Sequence, residues 1–293
     1  MSLRISLALG AALLASATLT AGSAGAAEGT LHPPRESWSF SGPFGSFDRG
    51  QLQRGFKVYR EVCSACHGLS LVAFRNLAEE GGPQFSEGQI QALAAEYEIQ
   101  DGPGEDGEMF QRPGRPSDRF PSPYPNEQAA AAANGKAPPD LSLMAKARTY
   151  ERGFPWFVID IATQFQEHAP DYIHALLTGY EEKPADFELP AGTHYNKYFP
   201  GHVIAMAKPL NDGQVSYDDG SPTTVDQYAR DVAAFLMWAA EPHMEQRKRI
   251  GFMSIVFLIG LAGLLYFTKK KIWHEVEKPR EIAEGKDPAQ TSL

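Results

Sequence analysis

Apolar and polar positions along the chain alternate with a helical period in several separate stretches, and long irregular segments join them. The first begins at Asp48, which can cap a helix carrying Leu52, Phe56, Tyr59 and Cys63 on one face. A second follows Ser86, where Gln89 completes a capping box and Ile90, Leu93 and Tyr97 form the apolar stripe. Asn126 to Asn134 predicts a short alanine-rich helix stopped at Gly135, and Asp140 is placed to cap a helix over LSLMAKARTY. Two further pieces are expected at Phe154 to Phe165 and Tyr172 to Leu177. Beyond Pro222, Val225, Tyr228, Val232, Phe235 and Ala239 predict an amphipathic helix that Pro242 should end or kink.

Between these lie an arm rich in Pro, Gly, Ser and aromatics before Asp48, expected to lie extended over the domain, and a long loop from Gln100 to Pro125. Residues 190–222 are punctuated by Pro and Gly in the same way. No stretch alternates strongly enough for a large sheet. The expected class is mainly α with long loops.

The two ends differ from the middle. Residues 1–27 run from Arg4 through an apolar segment to small residues around Ala24-Gly25-Ala26, the layout of a secretory signal peptide. Ile250 to Phe267 is an uncharged run of 18 residues between Arg247-Lys248-Arg249 and Lys269-Lys270-Lys271. As a helix it covers about 27 Å, close to the ~30 Å of a hydrocarbon core, so a single membrane anchor is expected. The resulting division is 1–27 signal, 28–246 exported domain, 247–271 transmembrane anchor with its basic flanks, and 272–293 cytoplasmic tail. Lys278, Arg280 and Lys286 favour the C-terminal side as cytoplasmic, which puts the large domain on the periplasmic side of a bacterial inner membrane.

Charge narrows the partners. The net charge of −9 becomes −10 once Arg4 leaves with the signal, which argues against nucleic acid. Acids gather at Glu105, Asp106 and Glu108, at Glu181 and Glu182, at Asp186 and Glu188, and at Asp218 and Asp219. Such groups ordinarily solvate a surface, and they can also steer a basic partner.

The chemistry resides in VCSACHG. Cys63 and Cys66 are the only cysteines of 293 residues, and His67 follows directly. Two thiols at this separation can each add to a haem vinyl group, and the adjacent imidazole then binds the iron, so the motif predicts covalent haem c. A disulfide, a thiol-redox pair or part of a zinc site are the other readings of such a pair. The next histidine, His168, is far along the chain, which weakens zinc. A methionine opposite His67 would make an electron carrier. Met109, Met144, Met237, Met244 and Met253 all have simple packing explanations, whereas Met206 sits in a Pro/Gly-bounded loop and leads as the distal ligand.

VYREVCSACHGLSLVAFRNL, QDGPGEDGEMFQRPGRPSDRFPSPYPNEQAAAAANGKAPPDLSL, LLTGYEEKP, YNKYFPGHVIAMAKPL, YDDGSPTT and FLMWAAEPHMEQRKR together resemble the cytochrome c1 family, in order and over nearly all of residues 30–275. The resemblance implies a class I c-type cytochrome domain with one C-terminal transmembrane helix. It also implies thioether links at Cys63 and Cys66, iron ligation by His67 and Met206, propionate partners Arg148 and Tyr172, and the Pro139 carbonyl as acceptor from the proximal imidazole. The implied role is that of an electron-carrying subunit, not catalytic by itself, of a dimeric quinol-oxidising cytochrome bc1 complex. Its implied partners are cytochrome b, the Rieske iron–sulfur protein as donor and a cytochrome c as acceptor. Lys208 departs from the family pattern, which commonly has proline there, and residues 151–170 look like an insertion. An anchored cytochrome serving a terminal oxidase or reductase, a ligand-sensing haem protein and a tethered thiol-disulfide oxidoreductase are the competing functions.

Overall fold

The computed structural model describes residues 31–283 except 151, 164 and 166; the expected signal and the last ten residues lie outside the described residues. Its centre is the helix crossing of α1 (Arg49–Glu61) with α7 (Val225–Ala240). Asp48 caps α1 as expected, its carboxylate accepting from the Gln51 amide at 2.6 Å. Leu52, Phe56 and Tyr59 turn inward, and Gly55 lets the backbones meet: a Cβ there would lie 2.1 Å from the Asp231 carbonyl oxygen and 2.7 Å from Phe235 Cβ. Arg54 spans the same crossing to the fully buried Asp231, at 2.9 Å.

Helix α7 is more deeply buried than the amphipathic pattern predicts. Every residue from Asp231 to Ala239 is buried, because Ala229, Ala233 and Ala234 allow neighbours to approach the sides that the large apolar residues do not cover. Helices α4 (Met144–Ala147) and α6 (His168–Thr178) pack on it from other directions.

Several local expectations hold. Helix α2 (Glu87–Ala95) has the reciprocal Ser86–Gln89 capping box, and α3 (Glu127–Asn134) starts from Asn126 and ends at Gly135 with φ 76°. Others need correction. The segment after Asp140 forms only the single turn of α4, since Asp140 spends its carboxylate on the Ser142 and Ser70 amides rather than on a long helix. Part of the expected loop from Gln100 is an antiparallel ribbon of β1 (Glu98–Asp101) and β2 (Phe110–Pro113). Arg112 locks it, reaching Asp101 at 2.5 Å and Asp118 at 2.6 Å. Within residues 151–170, expected as an insertion, lie α5 (Trp156–Thr163) and the first turn of α6. The 190–222 region is irregular apart from the two-residue strands β3 (His194–Tyr195) and β4 (Val203–Ile204) and short turns.

Extended residues 31–47 lie over the domain as expected, burying Trp38 and Phe40. After Pro242 the chain enters α8 (Met244–Ala283), which continues well past the basic triplet at 269–271. Met244–His274 is the one stretch among the described residues long and apolar enough to cross a membrane, and Ile255, Phe257, Ile259 and Leu264 stand exposed along it.

Candidate haem site

Helix α1 ends one residue before the motif. A 3-10 turn over Cys63–Ala65 follows, with the Cys66 and His67 amides both donating to the Cys63 carbonyl at 3.1 and 2.9 Å. This tight turn fixes the spacing of the two thiols, and the Tyr59 hydroxyl donates to the His67 carbonyl at 3.2 Å, anchoring the turn to α1. Both thiols are free and half-buried. Cys66 Sγ lies 3.7 Å from Asn134 Oδ1 at the end of α3.

A second strand of chain, Pro139 to Ser142, lies along the motif and its continuation. His67 Nδ1 is 2.7 Å from the Pro139 carbonyl, which can only accept, so Nδ1 carries the proton. Asp140 accepts from the Ser70 amide at 2.8 Å, Ser142 Oγ from the Leu71 amide at 3.0 Å, and the Gly68 carbonyl from the Leu141 amide at 2.9 Å. Gly68 is required by this closeness, since a Cβ there would come 2.9 Å from Asp140 Oδ2. Burial would raise the Asp140 carboxyl, but the serine hydrogen bonds outweigh it and hold the group below the usual carboxylate range. Burial lowers the His67 pKa against the opposing Pro139 bond and Asp140 charge. The imidazole is therefore neutral near pH 7, with Nδ1–H committed and Nε2 left as its donor atom.

The methionines separate by environment. Met237 and Met244 are buried in the helical core, and Met109 and Met253 are exposed. Met144, on α4, and Met206 are half-buried against the core. Met206 lies just beyond β4, and its carbonyl accepts from the Tyr180 hydroxyl at 3.0 Å. Buried Asn196 strengthens that attachment by donating to the Leu176 carbonyl of α6 at 2.7 Å. Arg148 is exposed at the end of α4 and Tyr172 half-buried on α6, close enough that the guanidinium favours ionisation of a phenol whose pKa burial raises.

The structure thus joins Cys63, Cys66, His67 and Pro139 in one unit, and puts Arg148 within electrostatic reach of Tyr172. Sequence reasoning missed Tyr59, Asn134 and Tyr180, and gave Asp140 a different task. A Tyr directly after a helix-ending Gly179, as in LLTGY, was the available signal for Tyr180.

Residues 38–276 match the Cytochrome C1 family. The chain belongs to the cytochrome c1 family. It is 51% identical over 254 residues to "Cytochrome c1" of Blastochloris viridis, covering 86% of this chain and 90% of that one. With "Cytochrome c1, heme protein, mitochondrial" of Saccharomyces cerevisiae the identity is 46% over 258 residues, covering 87% and 77%. It is also 64% identical over 267 residues to "Cytochrome b/c1" of Bradyrhizobium diazoefficiens; that match covers 89% of this chain but only 39% of the longer relative. Cytochrome c1 function is electron transfer within the bc1 complex, and membership implies a covalently bound haem c.

The residues present fit that group. Two unpaired thiols on one short turn and an imidazole with a fixed tautomer form the donor set of covalent haem attachment. Among the described residues no three His, Cys, Asp or Glu side chains converge as a metal-ion cluster, so zinc has no ligand shell to complete here. A thiol oxidoreductase needs a ready thiolate, whereas burial, with Cys66 adding to it, pushes the Cys63 thiol up to about 12.

Proposed function

We propose that Cys63 and Cys66 carry one haem c through thioether bonds and that His67 Nε2 and Met206 Sδ ligate its iron. The His67–Pro139 hydrogen bond of 2.7 Å carries this reading, since it leaves the imidazole only one nitrogen for a metal. The environments of the methionines support Met206: it is half-buried and held by Tyr180 on a loop, and Met144 is the remaining half-buried alternative on a helix turn. Arg148 and Tyr172 are the proposed propionate partners, a guanidinium keeping the carboxylate ionised and a phenol donating to it. Bound there, haem c supplies a one-electron carrier between the Rieske protein and a cytochrome c acceptor.

The protein's own work is to hold the proximal imidazole neutral and oriented. It also anchors the domain beside cytochrome b in a dimeric complex. In this reading residues 28–246 form the periplasmic domain, 247–271 the anchor and 272–293 the cytoplasmic side of a bacterial inner membrane.

The test is spectroscopic. Haem absorbance should survive acid-acetone extraction, and the reduced protein should not bind carbon monoxide, whereas Met206→Leu should bind it and show a lowered reduction potential. Extractable haem, or carbon monoxide binding by the parent protein, would contradict the proposed ligation.

A further inference from the structure

Helix α5 is inverted relative to a helix facing water. Of its eight residues only Asp160 is buried, at 6% exposure, while Trp156, Phe157, Val158, Ile159 and Ile161 are 40–72% exposed. Phe154, just before it, is 82% exposed. The inward side is polar: Asp160 bonds Arg152 at 3.1 Å and faces His168 Nε2 at 3.3 Å. A short helix presenting such a face would be strongly disfavoured in contact with water alone.

Two observations indicate what covers it. The first is position. The chain that follows α5 is tied through the arm to the start of α8: Arg35 stacks on Phe165 at 3.6 Å, and the Trp38 indole donates to Asp171 of α6 at 2.8 Å. Trp38 stacks on Phe40, whose carbonyl accepts from Lys248 at 2.6 Å in the first turns of α8. Glu167, between α5 and α6, acts electrostatically on the same Lys248. At its tip the arm sets exposed Phe44 against Phe252, inside the apolar run. The second is charge. A cavity of about 280 Å³ beside α5 is lined by His32, Pro33, Arg35, Tyr150, Arg152 and Trp156; Arg152 is paired with Asp160, and Arg35, stacked on Phe165, is the guanidinium left to meet an anion.

We propose that the outer face of α5 lies on the surface of the membrane that α8 crosses, its aromatic and aliphatic side chains at the headgroup–acyl boundary and the cavity beside it turning Arg35 toward lipid phosphate. An apolar face with Trp and Phe, flanked by cations, is the chemistry of an interfacial helix. Continuity with the start of α8 selects lipid over a protein partner. The domain is then held to the bilayer at a second point besides α8. This inference rests on α8 being a membrane span.

The test uses the full chain in its purified complex, reconstituted in vesicles containing an anionic phospholipid. With Cys63 and Cys66 occupied by haem, Val158→Cys supplies a labelling site on α5 and Ile259→Cys one on α8; label on the parent complex is subtracted. Fluorescence is quenched either by nitroxide-bearing lipids or by a water-soluble quencher. Label at 158 should lose most of its emission to headgroup-level and shallow acyl nitroxides and little to the aqueous quencher. Quenching by the aqueous agent alone, or protection from both as under a protein partner, would overturn the proposal provided that label at 259 is lipid-quenched. Failure at 259 would instead remove the span on which the inference rests, and the proposal with it.

Discussion

At the scale of single residues, the site depends on groups that spend their hydrogen bonds on one another. His67 is fixed by Pro139, Asp140 by two amides, and the Met206 loop by Tyr180. Cys63, Cys66 and His67 were legible because their chemistry is local in sequence. Pro139, Arg148 and Tyr172 became candidates only through family resemblance, since no periodicity marks a carbonyl acceptor or a propionate partner. Asp171 was not legible at all: it is fully buried on α6, with the Trp38 indole and Glu36 amide donating to one oxygen. Burial, opposed by those bonds and reinforced by Glu36 and Glu167, pushes its carboxyl up to about 6. The folded state therefore binds this proton more tightly than the unfolded chain, so the linked contribution to stability is greatest in acid and declines as pH rises from about 4 toward 6. Asp171→Asn keeps an acceptor for both donors. It should stabilise the domain at pH 7 by roughly 2 kcal/mol and flatten this part of the pH profile. Thermal unfolding followed by haem-region absorbance at several pH values checks it; an unchanged profile would mean that the carboxyl titrates normally.

At the scale of elements, caps and stops were readable where a side chain acts within its own turn, as at Asp48, Ser86 and Gly135. Packing was less readable. The apolar stripe of α7 suggested one buried face, but small alanines bury the others by admitting neighbours, and periodicity of large residues does not report that. The β1–β2 ribbon escaped notice because its four-residue strands do not alternate in polarity and are held by the ion pairs of Arg112. The α1–α7 crossing gives the sharpest mutational expectation. Gly55→Ala drives a methyl into the Asp231 carbonyl, where the backbone cannot yield as a flexible side chain would. The helices must separate, at a cost of about 3 kcal/mol or more. Chemical unfolding should show that loss, while Gly88→Ala in α2, where an added Cβ meets nothing, should leave stability the same or slightly higher.

At the scale of the whole molecule, a buried helix pair carries the turn of Cys63, Cys66 and His67, and the same packed core continues through Pro242 into α8. The site is therefore rigidly related to the first turns of α8 rather than hung on a loose tether. Of the acids noted in the sequence, Asp218 and Asp219 are paired with Lys57 and Arg54, and Glu181 with Lys197, which leaves Glu105, Asp106, Glu108, Glu182, Asp186 and Glu188 as exposed charge. Fold class and a single apolar C-terminal helix could be read from the chain, whereas the inverted face of α5 emerged only once burial was known. The measurement closest to the central claim is quinol-driven reduction in a complex purified mildly through a tag on this chain. The account predicts that b-type haem copurifies and that quinol reduces the c-type haem in a manner blocked by a quinol-site inhibitor. A c-type haem that arrives without b-type haem and stays oxidised in the presence of quinol would contradict it.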